Sequence, residues 1–151
     1  MNYQSDLRTI LVAEDDPDDQ DLIREAFGIV CETLQLSFVN DGEELMEILQ
    51  QKGREMNPPE LYPPAIILLD LNMPKLDGRE VLKLVKSDPE LQQIPVVVFS
   101  TSTDSDDVLA SYRLGANSYI EKPSTFHSLL ELIKDLSTYW LEDVRLPETK
   151  Q

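Results

Sequence analysis

The most constraining feature of this chain is a set of short apolar runs that each stop at a polar residue. Ala65-Ile66-Ile67-Leu68-Leu69 ends at Asp70, and Thr9-Ile10-Leu11-Val12-Ala13 ends at Glu14-Asp15-Asp16. Val96-Val97-Val98-Phe99, opened by Pro95, ends at Ser100-Thr101-Ser102. Runs this short are strands rather than helices, and unbroken apolar character fits parallel strands covered on both faces. Leu36–Val39 and Ser118-Tyr119-Ile120 are shorter runs of the same kind, the second ended by Glu121-Lys122-Pro123.

Amphipathic stretches separate the runs. Asp16 is placed to cap a helix with Pro17 in its first turn, and Leu22, Ile23, Ala26, Phe27 and Val30 recur at helical spacing. After the Asp41-Gly42 turn, Leu45, Ile48 and Leu49 mark a second helical face. A third helix is expected over Gly78–Ser87 and a weaker one over Ser105–Leu114, with Gly115 past its end. The last is expected over Thr125–Trp140, with Leu129, Leu130, Ile133 and Leu136 inward. Four prolines between Pro58 and Pro64 exclude helix interior and central strand there, so Gln51–Pro64 is a surface loop. The order (βα)₅ with right-handed crossovers predicts an α/β fold, a doubly wound parallel five-stranded sheet. The expected divisions are an N-terminal extension over 1–8, one domain over 9–137 and a C-terminal extension over 138–151.

Composition narrows the function classes. The 151 residues suit one domain, and a chain of this length buries roughly 70% of its unfolded surface. The net charge of −16 argues against a nucleic-acid binder and against docking on an anionic membrane. One cysteine, Cys31, excludes an intrachain disulfide or a multi-thiolate metal site, and it is expected as a small core hydrophobe. The single histidine, His127, leaves little for a histidine metal site or a nucleophile triad. No apolar run approaches the roughly 20 residues of a membrane span, and Met1–Arg8 carries no apolar signal region, so a cytoplasmic chain is expected.

In an open α/β sheet, ligands bind beyond the carboxyl ends of the strands. Those ends deliver Glu14, Asp15 and Asp16, then Asp70, then Ser100 and Thr101, then Lys122. Carboxylates at close quarters suit a hard cation such as Mg²⁺. An aspartate can attack phosphorus, and a metal and a lysine can neutralise the phosphoryl oxygens. A hydroxyl that moves to bond the arriving group would make a switch. Singly, each residue has an ordinary structural use as a cap, a turn or a surface charge. The acidic run from Asp15 to Asp21 also suits a helix N-terminus, and it fails as an EF-hand because the twelfth position is Ala26 or Phe27. Joint placement at successive strand ends favours the functional reading.

Together these segments resemble the receiver domain of two-component response regulators, with its CheY-like, flavodoxin-like fold. The resemblance rests on Ile10–Asp16, Leu68–Pro74, Asp77-Gly78, Pro95–Thr101 and Gly115–Pro123, and covers about Thr9 to Leu136. It implies that Asp70 accepts a phosphoryl group from a sensor histidine kinase. It implies that Asp15 and Asp70 bind Mg²⁺ directly, Glu14 through water and Asn72 through its backbone carbonyl. Ser100 and Tyr119 would be the switch pair, Lys122 would pair with the phosphoryl group, and Lys122-Pro123 would be cis. Thr101 departs from the small residue frequent at that position and narrows the access path. Asp77–Leu82, Ser100-Thr101-Ser102 and Tyr139–Glu142 further resemble stand-alone regulators that partner bacterial phytochromes.

The implied output is a contact with a downstream protein or a phosphotransfer protein, not enzymatic turnover. Tyr139, Trp140, Leu141, Val144 and Leu146 suit either intramolecular packing or a homodimer or kinase contact. A degenerate receiver acting as a phosphorylation-independent scaffold is the alternative, and it usually lacks the acid or the lysine present here. An aspartate-nucleophile phosphatase would want a second acid where Asn72 stands. A flavin site would want a phosphate cradle where Glu14-Asp15-Asp16 repels one.

Overall fold

The computed structural model describes residues 8–31, 33–51 and 62–147. The elements run β1 (Arg8–Ala13), α1 (Pro17–Val30), β2 (Leu34–Val39), α2 (Gly42–Gln50), β3 (Ile66–Leu69) and α3 (Gly78–Ser87). They continue as β4 (Val96–Ser100), α4 (Ser105–Arg113), β5 (Ser118–Glu121) and α5 (Phe126–Ser137). The five strands form one parallel sheet in the order β2-β1-β3-β4-β5. This is the expected α/β architecture.

Strand alternation divides the core in two. Leu11, Ala13, Ile67, Leu69, Val96 and Val98 point to one side, where Leu45, Met46 and Leu49 of α2 and Val81, Leu82 and Val85 of α3 cover them. Ile10, Val12, Ile66, Leu68, Val97 and Phe99 point to the other, against Ile23, Ala26 and Phe27 of α1 and Leu129, Ile133 and Leu136 of α5. All four residues of β3 are buried because both faces are covered. At about 1.5–3 kcal/mol for each buried aliphatic side chain, β3 alone contributes several kcal/mol of stabilisation. The edge strand β5 is only half-buried.

Local chemistry sets the helix starts. Asp16, Asp41, Asp77, Asp104 and Thr125 each accept a backbone N–H from the first turn of the following helix. Gly115 follows α4 with φ +107°, the left-handed conformation that glycine adopts most easily.

Several expectations need correction. Cys31 follows α1 as its C-cap in extended conformation and is partly exposed, because the helical stripe that reaches the core stops at Val30. Regular α5 ends at Ser137 rather than Trp140, and the chain continues as a wider π-helical turn over Thr138–Asp143. Within that turn Trp140 and Leu141 pack on the α1–α5 side of the core, whereas Tyr139 stays exposed. Arg8 lies within β1, paired with Leu34. Most of the expected 51–64 loop lies outside the described residues, as do Met1–Leu7. Among the described residues, no helix is long and apolar enough to cross a membrane.

Candidate functional site

The sheet ladder itself delivers the site residues. It runs one residue beyond β1, β3 and β5: Glu14 N–H donates to the Val39 carbonyl at 3.0 Å, and Asp70 N–H to the Ala13 carbonyl at 3.1 Å. Lys122 N–H donates to the Ser100 carbonyl at 2.8 Å. Glu14, Asp70 and Lys122 therefore continue the alternation of Val12, Leu68 and Ile120, the rows on the α1–α5 side. Ser100 continues the row of Val96 and Val98, on the α2–α3 side.

On the first side three carboxylates gather. Oxygens of Glu14, Asp15 and Asp70 lie within 4.8 Å of one another, with Glu14 and Asp70 buried and Asp15 exposed. The Lys122 ammonium bonds to Glu14 and lies 3.5 Å from Asp70 Oδ2. It also donates to Asp19 Oδ2 at 3.1 Å. Asp70 Oδ1 accepts the Asn72 N–H at 3.1 Å. Burial, then the close approach of the Asp70 carboxylate, pushes the Glu14 carboxyl up to about 8 in spite of Lys122. Burial pulls the Lys122 ammonium down, but its bond to Glu14 and the charge of Asp70 outweigh that and raise it.

This donor set fits a hard divalent cation. It is made of oxygen alone, and Glu14 Oε2 is buried with no hydrogen-bond partner among the described residues. A buried carboxylate oxygen left unpaired beside a second carboxylate is costly, and a cation relieves both the burial and the repulsion.

The second side is built from hydroxyls. Ser100 is fully buried and its Oγ accepts the Ser102 N–H at 3.2 Å. The Ser102 hydroxyl donates to Asp107 Oδ2 at 2.7 Å. Tyr119 Oη donates to the Ser102 carbonyl at 2.9 Å. Arg79 Nη2 donates to Asp107 Oδ1 at 2.9 Å. The Asp107 carboxyl is held below its ordinary value by Ser102 and then by Arg79, and the Arg79 guanidinium is raised chiefly by Asp107. The structure thus brings Glu14, Asp15, Asp70 and Lys122 into one cluster. Tyr119 meets Ser102 rather than Ser100, and the Asn72 side chain is exposed.

One expectation fails here: Lys122-Pro123 is trans, and the cis bond among the described residues is Tyr62-Pro63. The trans form, ordinarily favoured by about 0.5–1 kcal/mol, already delivers Lys122 to Glu14. Three contacts escaped the sequence reading. Asp19 reaches Lys122 from one turn beyond Asp15, a spacing that could have signalled it. Gln20 Nε2 donates to the Glu14 carbonyl and, at 2.8 Å, to Asn40 Oδ1, tying the ends of β1 and β2. Asp107 carried no signal, since an acid in the first turn of a helix is ordinary.

Comparison with known proteins decides the family. The response regulator receiver domain model matches residues 10–134. This chain belongs to that family. Response regulator Rcp1 of a Synechocystis species is 42% identical over 140 residues, covering 93% of each chain. The crystal structure of the Mn²⁺-bound form of Rcp1 superposes with a TM-score of 0.82 at 41% identity, covering 93% of this chain and 99% of that one. The phosphorylated cyanobacterial phytochrome response regulator RcpA gives a TM-score of 0.84 at 42% identity, with the same coverage. Response regulator RPA3017, from red light signalling of R. palustris, gives 0.86 at 35% identity, covering 94% of this chain and 99% of that one. The receiver is a response regulator, a phosphoacceptor signalling protein rather than a conventional enzyme. Its acidic pocket is of the kind that holds a divalent metal.

Proposed function

We propose that Asp70 accepts a phosphoryl group from the phosphohistidine of a phytochrome-type sensor histidine kinase. The observation that carries this reading is the convergence of Glu14, Asp15 and Asp70 on one another, with Lys122 against them. A carboxylate oxygen of Asp70 attacks phosphorus, the P–N bond breaks, and the imidazole leaves as the O–P bond forms. Asp15 and Asp70 would hold Mg²⁺ directly, Glu14 through water and Asn72 through its backbone carbonyl. When bound, Mg²⁺ supplies charge neutralisation at the phosphoryl oxygens. Lys122, 3.5 Å from Asp70 Oδ2, neutralises the remaining charge. The Asn72 N–H, bonded to Asp70 Oδ1, fixes the carboxylate plane.

The phosphoryl group brings about −1.5 to −2 charge and strong acceptors. Ser100 donates its hydroxyl proton to one of them, and Tyr119 responds through Ser102. The face of α4, β5 and α5 then presents a changed contact to a downstream protein or phosphotransfer protein. Exposed Leu109 and Tyr112 on α4 supply apolar area there. The kinase assignment is supported by the similarity to the phytochrome response regulator RcpA and to RPA3017 of red light signalling, and a cytoplasmic setting belongs to the same reading. Exposed Tyr139 at the π-helical turn supports a homodimer contact through the C-terminal segment.

Intact mass after incubation with acetyl phosphate tests the reading. One added phosphoryl group that requires both Mg²⁺ and Asp70, and is missing in Asp70→Asn, is expected. No adduct under acidic quench, together with no binding of beryllofluoride, would favour a phosphorylation-independent scaffold.

A further inference from the structure

The Asp77-Gly78-Arg79 segment has no part in the chemistry described above, yet its placement is unusually constrained. Gly78 lies against the backbone of the Asp70 loop: a Cβ there would sit 2.3 Å from the Asp70 carbonyl oxygen. Gly78 N–H also donates to the Leu71 carbonyl at 3.0 Å. The start of α3 is therefore referenced to the backbone that carries Asp70. Asp77 caps the helix and bonds the Arg79 guanidinium from the same turn, at 3.3 and 3.4 Å. From that base Arg79 reaches Asp107 on α4, 28 residues away in sequence.

Asp107 passes the constraint on. One carboxylate oxygen takes Arg79 and the other takes the Ser102 hydroxyl. Ser102 is then held at three atoms: its hydroxyl by Asp107, its carbonyl by Tyr119, and its N–H on Ser100 Oγ. A serine oxygen that accepts one hydrogen bond keeps its own proton to give. The Ser102 N–H therefore orients the Ser100 rotor with one of its two lone pairs occupied and its proton disposable. A preset donor needs no reorganisation when an oxyanion arrives.

We propose that Arg79 and Asp107 are positioning residues that place the Ser100 hydroxyl relative to Asp70, through Ser102. The inference rests on the reading that Asp70 is phosphorylated and that Ser100 bonds the phosphoryl group. Gly78, Arg79, Asp107 and Ser102 form a continuous tie between the loop after β3 and the loop after β4. The charged pair is partly exposed, at 34% and 29%, so its value is geometric rather than a large store of stability. Arg79 suits this because one planar fork can engage Asp77 and Asp107 together, which a lysine ammonium does less well.

The test measures three quantities on wild type, Arg79→Ala, Arg79→Lys, Asp107→Ala and the double alanine variant. These are the initial rate of Asp70 phosphorylation by acetyl phosphate, beryllofluoride affinity in saturating Mg²⁺, and Mg²⁺ affinity by calorimetry. Each single alanine change is expected to slow phosphorylation and weaken beryllofluoride about three- to tenfold. Mg²⁺ affinity should stay at the wild-type value, because the metal site draws on neither residue. Arg79→Lys should fall between wild type and Arg79→Ala. The double variant should lose no more than Asp107→Ala alone, as expected for residues acting in series. Wild-type rates in both alanine variants would overturn the proposal. Faster phosphorylation would also overturn it, since the contacts would then restrain Ser100 rather than place it. A parallel loss of Mg²⁺ affinity would mean general disruption and would overturn it too. A wild-type protein that gains no phosphoryl group defeats the Asp70 reading itself, a result separable from normal wild-type chemistry with indifferent variants.

Discussion

The two sides of the pocket hold their polar groups by opposite means. On the side of Glu14, Asp70 and Lys122, charges are buried and crowded, and one carboxylate oxygen is left unpartnered among the described residues. On the side of Ser100, Ser102 and Tyr119, the groups are neutral and linked by hydrogen bonds of 2.7–3.2 Å, with the charged pair Arg79–Asp107 at the rim. The acid side is electrostatically unfinished, which is a use of burial that a cation and a phosphoryl group complete. The hydroxyl side is held in place by its hydrogen bonds, with the Ser100 proton left to give, so its contribution is position. Perturbing charge should therefore damage the first side far more than the second.

The most severe break is Lys122→Met. It removes the ammonium facing Glu14 and Asp70 and should cost about 3 kcal/mol, read as a lower urea midpoint, with no phosphoryl adduct by mass. An unchanged midpoint would mean that the acid side is not held by pairing. Gly78→Ala strikes the joint between the two sides. Its Cβ would press on the Asp70 carbonyl, so a loss of about 2 kcal/mol is expected in the same assay. Gly42→Ala, whose Cβ would meet the Leu76 carbonyl at 2.1 Å away from the pocket, provides a comparison with a similar clash.

The third prediction sharpens the electrostatic half. Glu14 keeps its proton in the folded form up to about 8, whereas an ordinary glutamate loses it near 4.5. Between those values the folded protein binds more protons than the unfolded chain. The stability contribution is thus fully present below about 4.5 and is lost as pH rises towards 8. Thermal melts without divalent cation should fall across that window, and Glu14→Gln should flatten the slope. Saturating Mg²⁺ should flatten it as well. An identical slope in Glu14→Gln would remove Glu14 as its source. The smallest effect is expected on the hydroxyl side. Tyr119→Phe loses one hydrogen bond to the Ser102 carbonyl, about 0.5–1.5 kcal/mol, and should leave Mg²⁺ affinity unchanged.

Much of this architecture is legible in the amino-acid sequence. Ala65–Leu69 reads as a central strand because an unbroken apolar run needs cover on both faces, and β3 is buried throughout. Asp16-Pro17 reads as a helix start because capping is local chemistry. The cluster of Glu14, Asp15, Asp70 and Lys122 is legible because all four stand at strand ends in one parallel sheet. The ties to Gln20 and Asp107 are not, and the tie to Asp19 is marked only by its spacing from Asp15. Each joins a common polar side chain to a distant partner, and composition marks none of them as different from a solvated surface residue. The trans Lys122-Pro123 bond and the π-helical turn after Ser137 are equally invisible, because small energy differences decide them.

What the sequence alone determined is the list of elements and the row of residues at their ends, since periodicity, capping and strand length act over a few neighbours. What only the tertiary structure decided is the partition of those residues between two sides of the pocket. Glu14, Asp70 and Lys122 share one strand face and Ser100 takes the other, because ladder register carries the alternation one residue past β1, β3 and β5. The path from Arg79 through Asp107 to Ser102 was decided there too. It depends on the approach of α3 to α4, which is set by the packing of both helices and by no local rule.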